Sequence, residues 1–357
     1  MSSPFEPLAS LGLKNRWVLA PMTTYASQSN GHLNSDELDY IERRAQDGFG
    51  MVMTAACKVH WSGHAFFGQW SCESDEFMGD LEAMAERIRR HGAKSVLQIH
   101  HGGRQCPSAL VGGPPWSASA IASERPNAEV PREMTAAEIQ EVVEAFAAAA
   151  HRAQRAGFDM VEIHGANTYL LQQFVSPHSN RRDDEWGRDR LKFSRDVLRA
   201  CRASCTLPIG YRLSPEEPET PGIRLNDTHA LVDMLCTEGI EWLDISLRKF
   251  DQVSLHDPTS GPVLGMIAEW VNGRTVVMGG GGVTSLAEAA NALSLGVDLV
   301  YVGRAAITQP DFLNTVSSGQ LANMVVPAEG ASTSLVLPKG LAEKIYSTPG
   351  WFQVEQL

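Results

Sequence analysis

Gly157–Asn180, GFDMVEIHGANTYLLQQFVSPHSN, decides how the chain is read. A short apolar run, Met160-Val161-Glu162-Ile163, is followed by a turn at His164-Gly165 and by the helix-like Tyr169-Leu170-Leu171-Gln172-Gln173-Phe174. This is strand, turn, helix. In a parallel α/β barrel the loops after the strands line the active site, and this one carries His164, Asn167 and Tyr169 within six residues. A neutral imidazole, a carboxamide and a protonated phenol can each donate a hydrogen bond near neutral pH. The same residues also suit structural duty: Asn167 as a helix cap, His164 on a backbone carbonyl, Tyr169 in the core.

Working outward, short β-rich runs alternate with helix-period segments. Eight strands are expected: Trp17–Pro21, Met51–Ala55, Ser95–Ile99, Met160–Ile163, Ile209–Leu213, Trp242–Ile245, Thr275–Met278 and Leu299–Val302. Ser35, Thr135 and Thr284 head three of the intervening helices, with Glu138 three residues after Thr135, and Gly48, Gly92, Gly157, Gly239 and Gly296 stand at helix ends. Eight βα units in series predict an α/β fold, a single-domain (β/α)8 TIM barrel over residues 1–315, with a tail at 316–357 of no assigned role. Residues 102–131 form a long loop after the third strand, too rich in Pro and Gly for a helix, and placed to act as a lid or to be an inert decoration.

Composition narrows the function. The 357 residues are 43% hydrophobic and 20% charged, enough for a large core, and carry a formal charge of −12. An acidic chain is a poor partner for nucleic acid or an anionic membrane. No basic leader precedes an apolar segment and no run of eighteen apolar residues occurs, which points to a cytoplasmic protein. Six cysteines lack CxxC spacing and read as reduced, mostly buried thiols. His60 and His64, four apart around Gly63, read as no metal site, and Glu216, Glu217 and Glu219 beside prolines read as a solvated loop.

Two further stretches would hold an anion. Met278-Gly279-Gly280-Gly281-Gly282-Val283 runs from a strand through glycines to a helix, and Gly303-Arg304 follows the next strand. Backbone N–H groups, a helix N-terminus and a guanidinium at that place in a barrel suit phosphate.

Taken together, these motifs resemble the old yellow enzyme family of FMN-dependent oxidoreductases, from about Phe5 to Leu313. NRWVLAPMT resembles the family's first strand, so Pro21, Met22 and Thr23 would meet the flavin, with Thr23 at its carbonyl. The resemblance places Ala56 against the isoalloxazine, Gln98 of LQIHHGGR on its pyrimidine edge and Arg212 of YRLSP near N1. Gly281, Gly282, Gly303 and Arg304 become the FMN phosphate cradle. HGANTYLLQQF resembles the substrate motif in its His/Asn form, with His164 and Asn167 on a carbonyl oxygen and Tyr169 as proton donor. Tyr25 falls where some relatives touch substrate, and equally where a core aromatic would sit. One of His100 and His101 is expected to pack near the flavin, and His178 has no assignable role.

The resemblance implies a ping-pong reaction: NADH or NADPH gives hydride, and an enone or enal takes it, in a soluble and possibly homo-oligomeric enzyme. With its last cysteine at Cys236, the chain departs from the larger members that carry an iron–sulfur cluster after the barrel. In some relatives the tail completes a neighbouring subunit's site. Two other readings remain at this point: a non-catalytic flavin sensor or carrier, and a flavin-free barrel acting on a phosphorylated metabolite.

Overall fold

The computed structural model describes residues 3–356. Its eight main strands are β1 (Trp17–Leu19), β2 (Met51–Met53), β3 (Lys94–His100), β4 (Met160–Gly165), β5 (Ile209–Leu213), β6 (Trp242–Ile245), β7 (Val276–Gly280) and β8 (Leu299–Val302). Each pairs in parallel with the next, and β1 pairs with β8 through Trp17 opposite Val300 and Leu19 opposite Val302. That last pairing closes the sheet into a barrel. All eight expected strands form, most of them shifted by one or two residues at an end. A short rim strand, Cys57–Lys58, pairs with the end of β3.

Alternation along the strands creates two apolar layers. Val18, Met51, Met53, Val96, Met160, Trp242, Met278 and Leu299 fill the barrel, while Trp17, Leu19, Val52, Leu97, Val161 and Leu243 face the surrounding helices. Leu11 and Leu13 join the inner layer from the N-terminal segment. Gly210 is a close-approach position, since a Cβ there would lie 1.8 Å from the Trp242 ring.

Outside, one longer helix follows each strand: α1 (Ser35–Gln46), α2 (Met78–Arg89), α3 (Ala136–Arg155), α4 (Lys192–Ser204), α5 (Leu225–Thr237), α6 (Val263–Val271), α7 (Leu286–Ser294) and α8 (Phe312–Ser317). Thr135 and Glu138 form the expected capping box on α3, at 3.3 and 2.8 Å. The other two starts move by one residue: Asn34 caps α1, and Ser285 caps α7 by accepting from the Glu288 N–H at 3.2 Å. All five expected glycine stops adopt positive φ.

The loop after β3 is more ordered than its composition suggests. Ser108–Val111 forms a helical turn, and Trp116–Ser117 pairs in parallel with Arg132–Glu133. The tail is tied to the barrel. The Arg44 guanidinium of α1, fully buried, donates to the carbonyl oxygens of Leu335 (2.8 Å) and Val336 (3.0 Å) in the tail and of Ala306 (3.1 Å) after β8. Val325–Val326 pairs with Gln353–Val354, and Val326, Leu341, Ile345 and Phe352 share the barrel's outer core.

Candidate active site

Four interior side chains form the polar layer at the C-terminal half of the barrel. Gln98 of β3 donates from Nε2 to Glu162 Oε1 of β4 at 2.8 Å, and Trp242 Nε1 donates to Glu162 Oε2 at 3.1 Å. Arg212 of β5 pairs with Asp244 of β6 and lies 5.3 Å from the Tyr301 ring. Burial, with the Asp244 carboxylate adding to it, pushes Glu162 up to about 8. Burial also raises Asp244, to about 6, against the pull of Arg212. Burial thus disfavours ionisation of both acids, and the Arg212 guanidinium offsets it for each. Gln98 and Arg212, named from the sequence, do belong to one layer. Glu162 and Asp244 were not singled out; the available signal was a lone carboxylate inside an apolar strand.

Above this layer β4 turns sharply. Asn167 and Thr168 take positive φ of 56° and 65°, which is unusual for consecutive non-glycine residues and costly for a β-branched threonine. Neighbouring side chains hold them there. Ser214 Oγ accepts from the Asn167 N–H at 2.9 Å, and Gln172 Oε1 accepts from the Thr168 N–H at 2.8 Å. Gln173 Nε2 donates to the Thr168 carbonyl at 2.7 Å, and Gln105 Nε2 to its hydroxyl at 2.9 Å. Gln172 in turn donates to Glu217 at 3.3 Å. Glu217 is thus not part of a solvated run: it is buried and also accepts from Ser176 and from the Ile223 N–H (3.0 Å). Its neighbour Glu216 bonds Ser254 at 2.7 Å.

The turn brings His164 and Tyr169 together, ring centroids 5.2 Å apart and nearly perpendicular. The Ala166 N–H donates to His164 Nδ1 at 3.3 Å, so the ring proton is on Nε2. Burial holds His164 well below the usual histidine range and pushes the Tyr169 phenol up to about 12. Both are neutral near pH 7. Asn167 is exposed, and its Nδ2 donates to Ser246 Oγ at 3.2 Å.

His100 ends β3 against Tyr169, with centroids 4.3 Å apart, and burial pulls it down to about 3. His101 is turned elsewhere, bonded to Ser62 at 2.9 Å; Ser62 in turn bonds His60, which reaches Glu141. Among the described residues no group of three metal-ligating side chains occurs. Among the described residues His178 Nε2 has no hydrogen-bond partner, and Glu124 lies 3.9 Å from it.

The wall opposite is aromatic. Tyr25, at φ 54°, packs on Phe66 (5.4 Å) and meets Trp351 of the same chain's tail edge to face (6.4 Å). Phe66 and Tyr169 both pack on Ala65, Cys106 and Val111. Thr23 is half-buried, whereas the hydroxyl of its neighbour Thr24 is taken by Glu37. Ala56 is buried, its carbonyl accepting from Gln69 at 3.2 Å.

The glycines expected to hold a phosphate lie together at the ends of β7 and β8. Gly281 and Gly282 adopt φ of 105° and 69°, and a Cβ on Gly281 would lie 2.6 Å from the Leu247 carbonyl. Met22 reaches across to Gly303, whose Cβ would lie 3.0 Å from its sulfur. Arg304 is exposed at the start of the short helix Arg304–Thr308. The loop after β6 adds what the sequence reading missed: Lys249 Cγ comes within 3.6 Å of the Gly282 Cβ position, and Phe250 donates its N–H to the Gly281 carbonyl at 3.1 Å. Arg248, Lys249 and Arg304 form no ion pair among the described residues. Bare backbone, free cations and a layer of amide and guanidinium donors fit a flat phosphorylated cofactor.

Residues 3–323 match the sequence model of the NADH:flavin oxidoreductase / NADH oxidase family. The chain belongs to this family. It is 40% identical over 333 residues to an NADH:fumarate oxidoreductase of Klebsiella pneumoniae, matching 89% of this chain but 36% of that one. It is 39% identical to an NADH:acrylate oxidoreductase of Vibrio harveyi, over 31% of that protein, so the chain spans about a third of both relatives. A probable NADH-dependent flavin oxidoreductase of Bacillus subtilis is 36% identical over 98% of this chain and 96% of its own. The fold is that of an old yellow enzyme homologue from Zymomonas mobilis, with TM-score 0.81 and 23% identity over 96% of this chain and 99% of that one. The family member described here is an NAD(P)H-dependent flavin oxidoreductase with FMN as its cofactor, which sets aside the flavin-free reading. Among the described residues no helix is long and apolar enough to cross a membrane.

Proposed function

We propose that this family member reduces the activated C=C bond of an α,β-unsaturated carbonyl compound in two half-reactions at one site. The observation that carries the reading is the packing of a neutral imidazole donor, His164, against the Tyr169 phenol across one turn, with ring centroids 5.2 Å apart. A redox carrier has no use for a proton donor there. The names of two relatives, for fumarate and for acrylate, also refer to conjugated C=C acids.

Thr23, Ala56, Gln98 and Arg212 would hold the flavin ring and Gly281, Gly282, Gly303 and Arg304 its phosphate, so that bound FMN supplies hydride taken from NADH or NADPH. His164 Nε2–H and the second amide hydrogen of Asn167 bind the substrate oxygen. Their dipoles withdraw density toward it and stabilise the negative charge that grows there, leaving the β-carbon electron-poor. Tyr169 gives its hydroxyl proton to the α-carbon, and its raised pKa keeps that proton in place until carbanion character develops. Tyr25, Phe66 and Trp351 form an apolar wall that excludes water from one side.

The test is an anaerobic absorbance titration of the purified protein with NADH and with NADPH, followed by 2-cyclohexenone. Bleaching of the flavin band and its return with the enone support the reading. A band that bleaches and stays bleached under repeated enone additions rules it out.

A further inference from the structure

His100 is fully buried at the end of β3, and its ring is surrounded by the reacting groups: Tyr169 at 4.3 Å and 87°, His164 at 5.3 Å. Its proton can be placed from backbone groups that have no choice of role. Gln69 Oε1 accepts from the Ala65 N–H at 2.8 Å, so the opposite end of that side chain is the NH2 group. That NH2 reaches the Ala56 carbonyl at 3.2 Å and His100 Nδ1 at 3.0 Å. A carbonyl only accepts and an amide N–H only donates, so Nδ1 of His100 is an acceptor and its proton is on Nε2. That Nε2–H has no acceptor among the described residues.

A buried N–H without an acceptor is rare in folded proteins, because it gives up water and gains nothing in exchange. Here the orphan lies beside a second imidazole fixed in the same tautomer, His164, and beside a phenol. Two imidazoles that carry Nε2–H and a phenol thus pack ring against ring, with no carboxylate among the three side chains.

We propose that His100 is a further ligand-binding residue, whose Nε2–H donates to the oxygen-bearing head of the molecule that His164 holds. The inference rests on the function proposed above and adds to it a residue outside the His164, Asn167 and Tyr169 set. Neutral donors without a competing acceptor favour an electron-rich oxygen, so the ligand class is a phenolate or an enolate-like carbonyl compound. Gln69 is the positioning residue, because it imposes the tautomer.

The experiment uses FMN-loaded protein titrated with 4-hydroxybenzaldehyde, read as perturbation of the flavin absorbance, with FMN content and thermal midpoint measured for each variant. His100→Leu raises the Kd about tenfold or more. Gln69→Glu raises it further, because a carboxylate accepts from Nδ1–H and leaves a lone pair on Nε2 facing the ligand oxygen. This second variant keeps His100 in place and serves where His100→Leu fails to load FMN. A Kd within twofold of wild type in both loaded variants overturns the role of His100 while leaving the site intact. Absence of any perturbation in the wild-type protein overturns the proposed function and this inference together.

Discussion

Asn167 and Arg212 share one acceptor: Ser246 Oγ takes a hydrogen bond from each at 3.2 Å. A single hydroxyl therefore links the turn after β4 to the buried Arg212–Asp244 pair. Arg212 keeps Asp244 when that hydroxyl is removed, whereas Asn167 loses its side-chain anchor. Ser246→Ala is expected to raise KM for 2-cyclohexenone about tenfold, the loss of roughly one hydrogen bond, with FMN affinity unchanged. Steady-state kinetics and flavin fluorescence titration check both halves.

Tyr169→Phe removes the proton donor and keeps the ring that packs on His100 and His164. Alkene reduction is expected to slow about 100-fold, the lower end of what a positioned general acid contributes. Reduction of the flavin by the nicotinamide needs no proton from Tyr169 and stays within about twofold on the same grounds. Stopped-flow measurement of the separate half-reactions decides it.

The buried histidines make a pH prediction whose sign can be worked out. His100 and His164 are depressed in the folded protein and ordinary when unfolded, so the unfolded chain binds more protons below about 6.5. Their contribution is fully present above that pH and is lost as pH falls toward 3. Glu37 and Glu162, raised to about 7 and about 8, act in the opposite direction, so the whole-protein slope is a sum. The variant comparison isolates one histidine: His164→Gln is expected to gain about 1.4 kcal/mol on wild type per pH unit between about 6 and 4.5. Urea unfolding at three pH values measures it; parallel curves would contradict a buried neutral His164.

Lys249 tests the cradle. Lys249→Ala should weaken FMN binding about three- to tenfold at low salt, because the cation is exposed and only partly effective. The difference from wild type should shrink by about 0.5 M salt. Riboflavin, which lacks the phosphate, should bind both proteins equally.

Glu217 tests the clamp under the turn. Glu217→Ala strips the acceptor from Gln172, Ser176 and the Ile223 N–H, and is expected to cost about 2–4 kcal/mol of stability. The milder Gln172→Ala frees only the Thr168 N–H and releases its left-handed turn, lowering kcat/KM for the enone about tenfold with a small change in thermal midpoint. Calorimetry and kinetics separate the two.

Barrel strands were legible because each is a short apolar run, and the stops because a glycine at positive φ ends a helix. The expected site residues were chosen by motif, and the fold brings His164 against Tyr169 and Met22 against Gly303 and sets Gln98 and Arg212 in one buried layer. What was not legible depends on partners far apart in the chain. Glu217 reads as solvated until Gln172 and Ser176 close over it, and Lys249 reads as surface charge until β6 and β7 lie side by side. The Gln69 contact that fixes His100 spans 31 positions, a distance no local pattern can cover.

The pairing of β1 with β8 has a consequence for how the chain is made. Trp17–Leu19 can find its second neighbour only after Leu299–Val302 has been synthesised, so a nascent chain carries an open strand edge until then. At about 5–20 residues per second that exposure lasts roughly 15–60 s. An unpaired edge is an aggregation template, and contacts this distant in sequence are slow to form. Arg44 waits longer still, since two of its carbonyl partners, Leu335 and Val336, emerge after β8. Closure of the barrel therefore waits for β8, and chaperone demand should concentrate in the interval before β8 reaches β1.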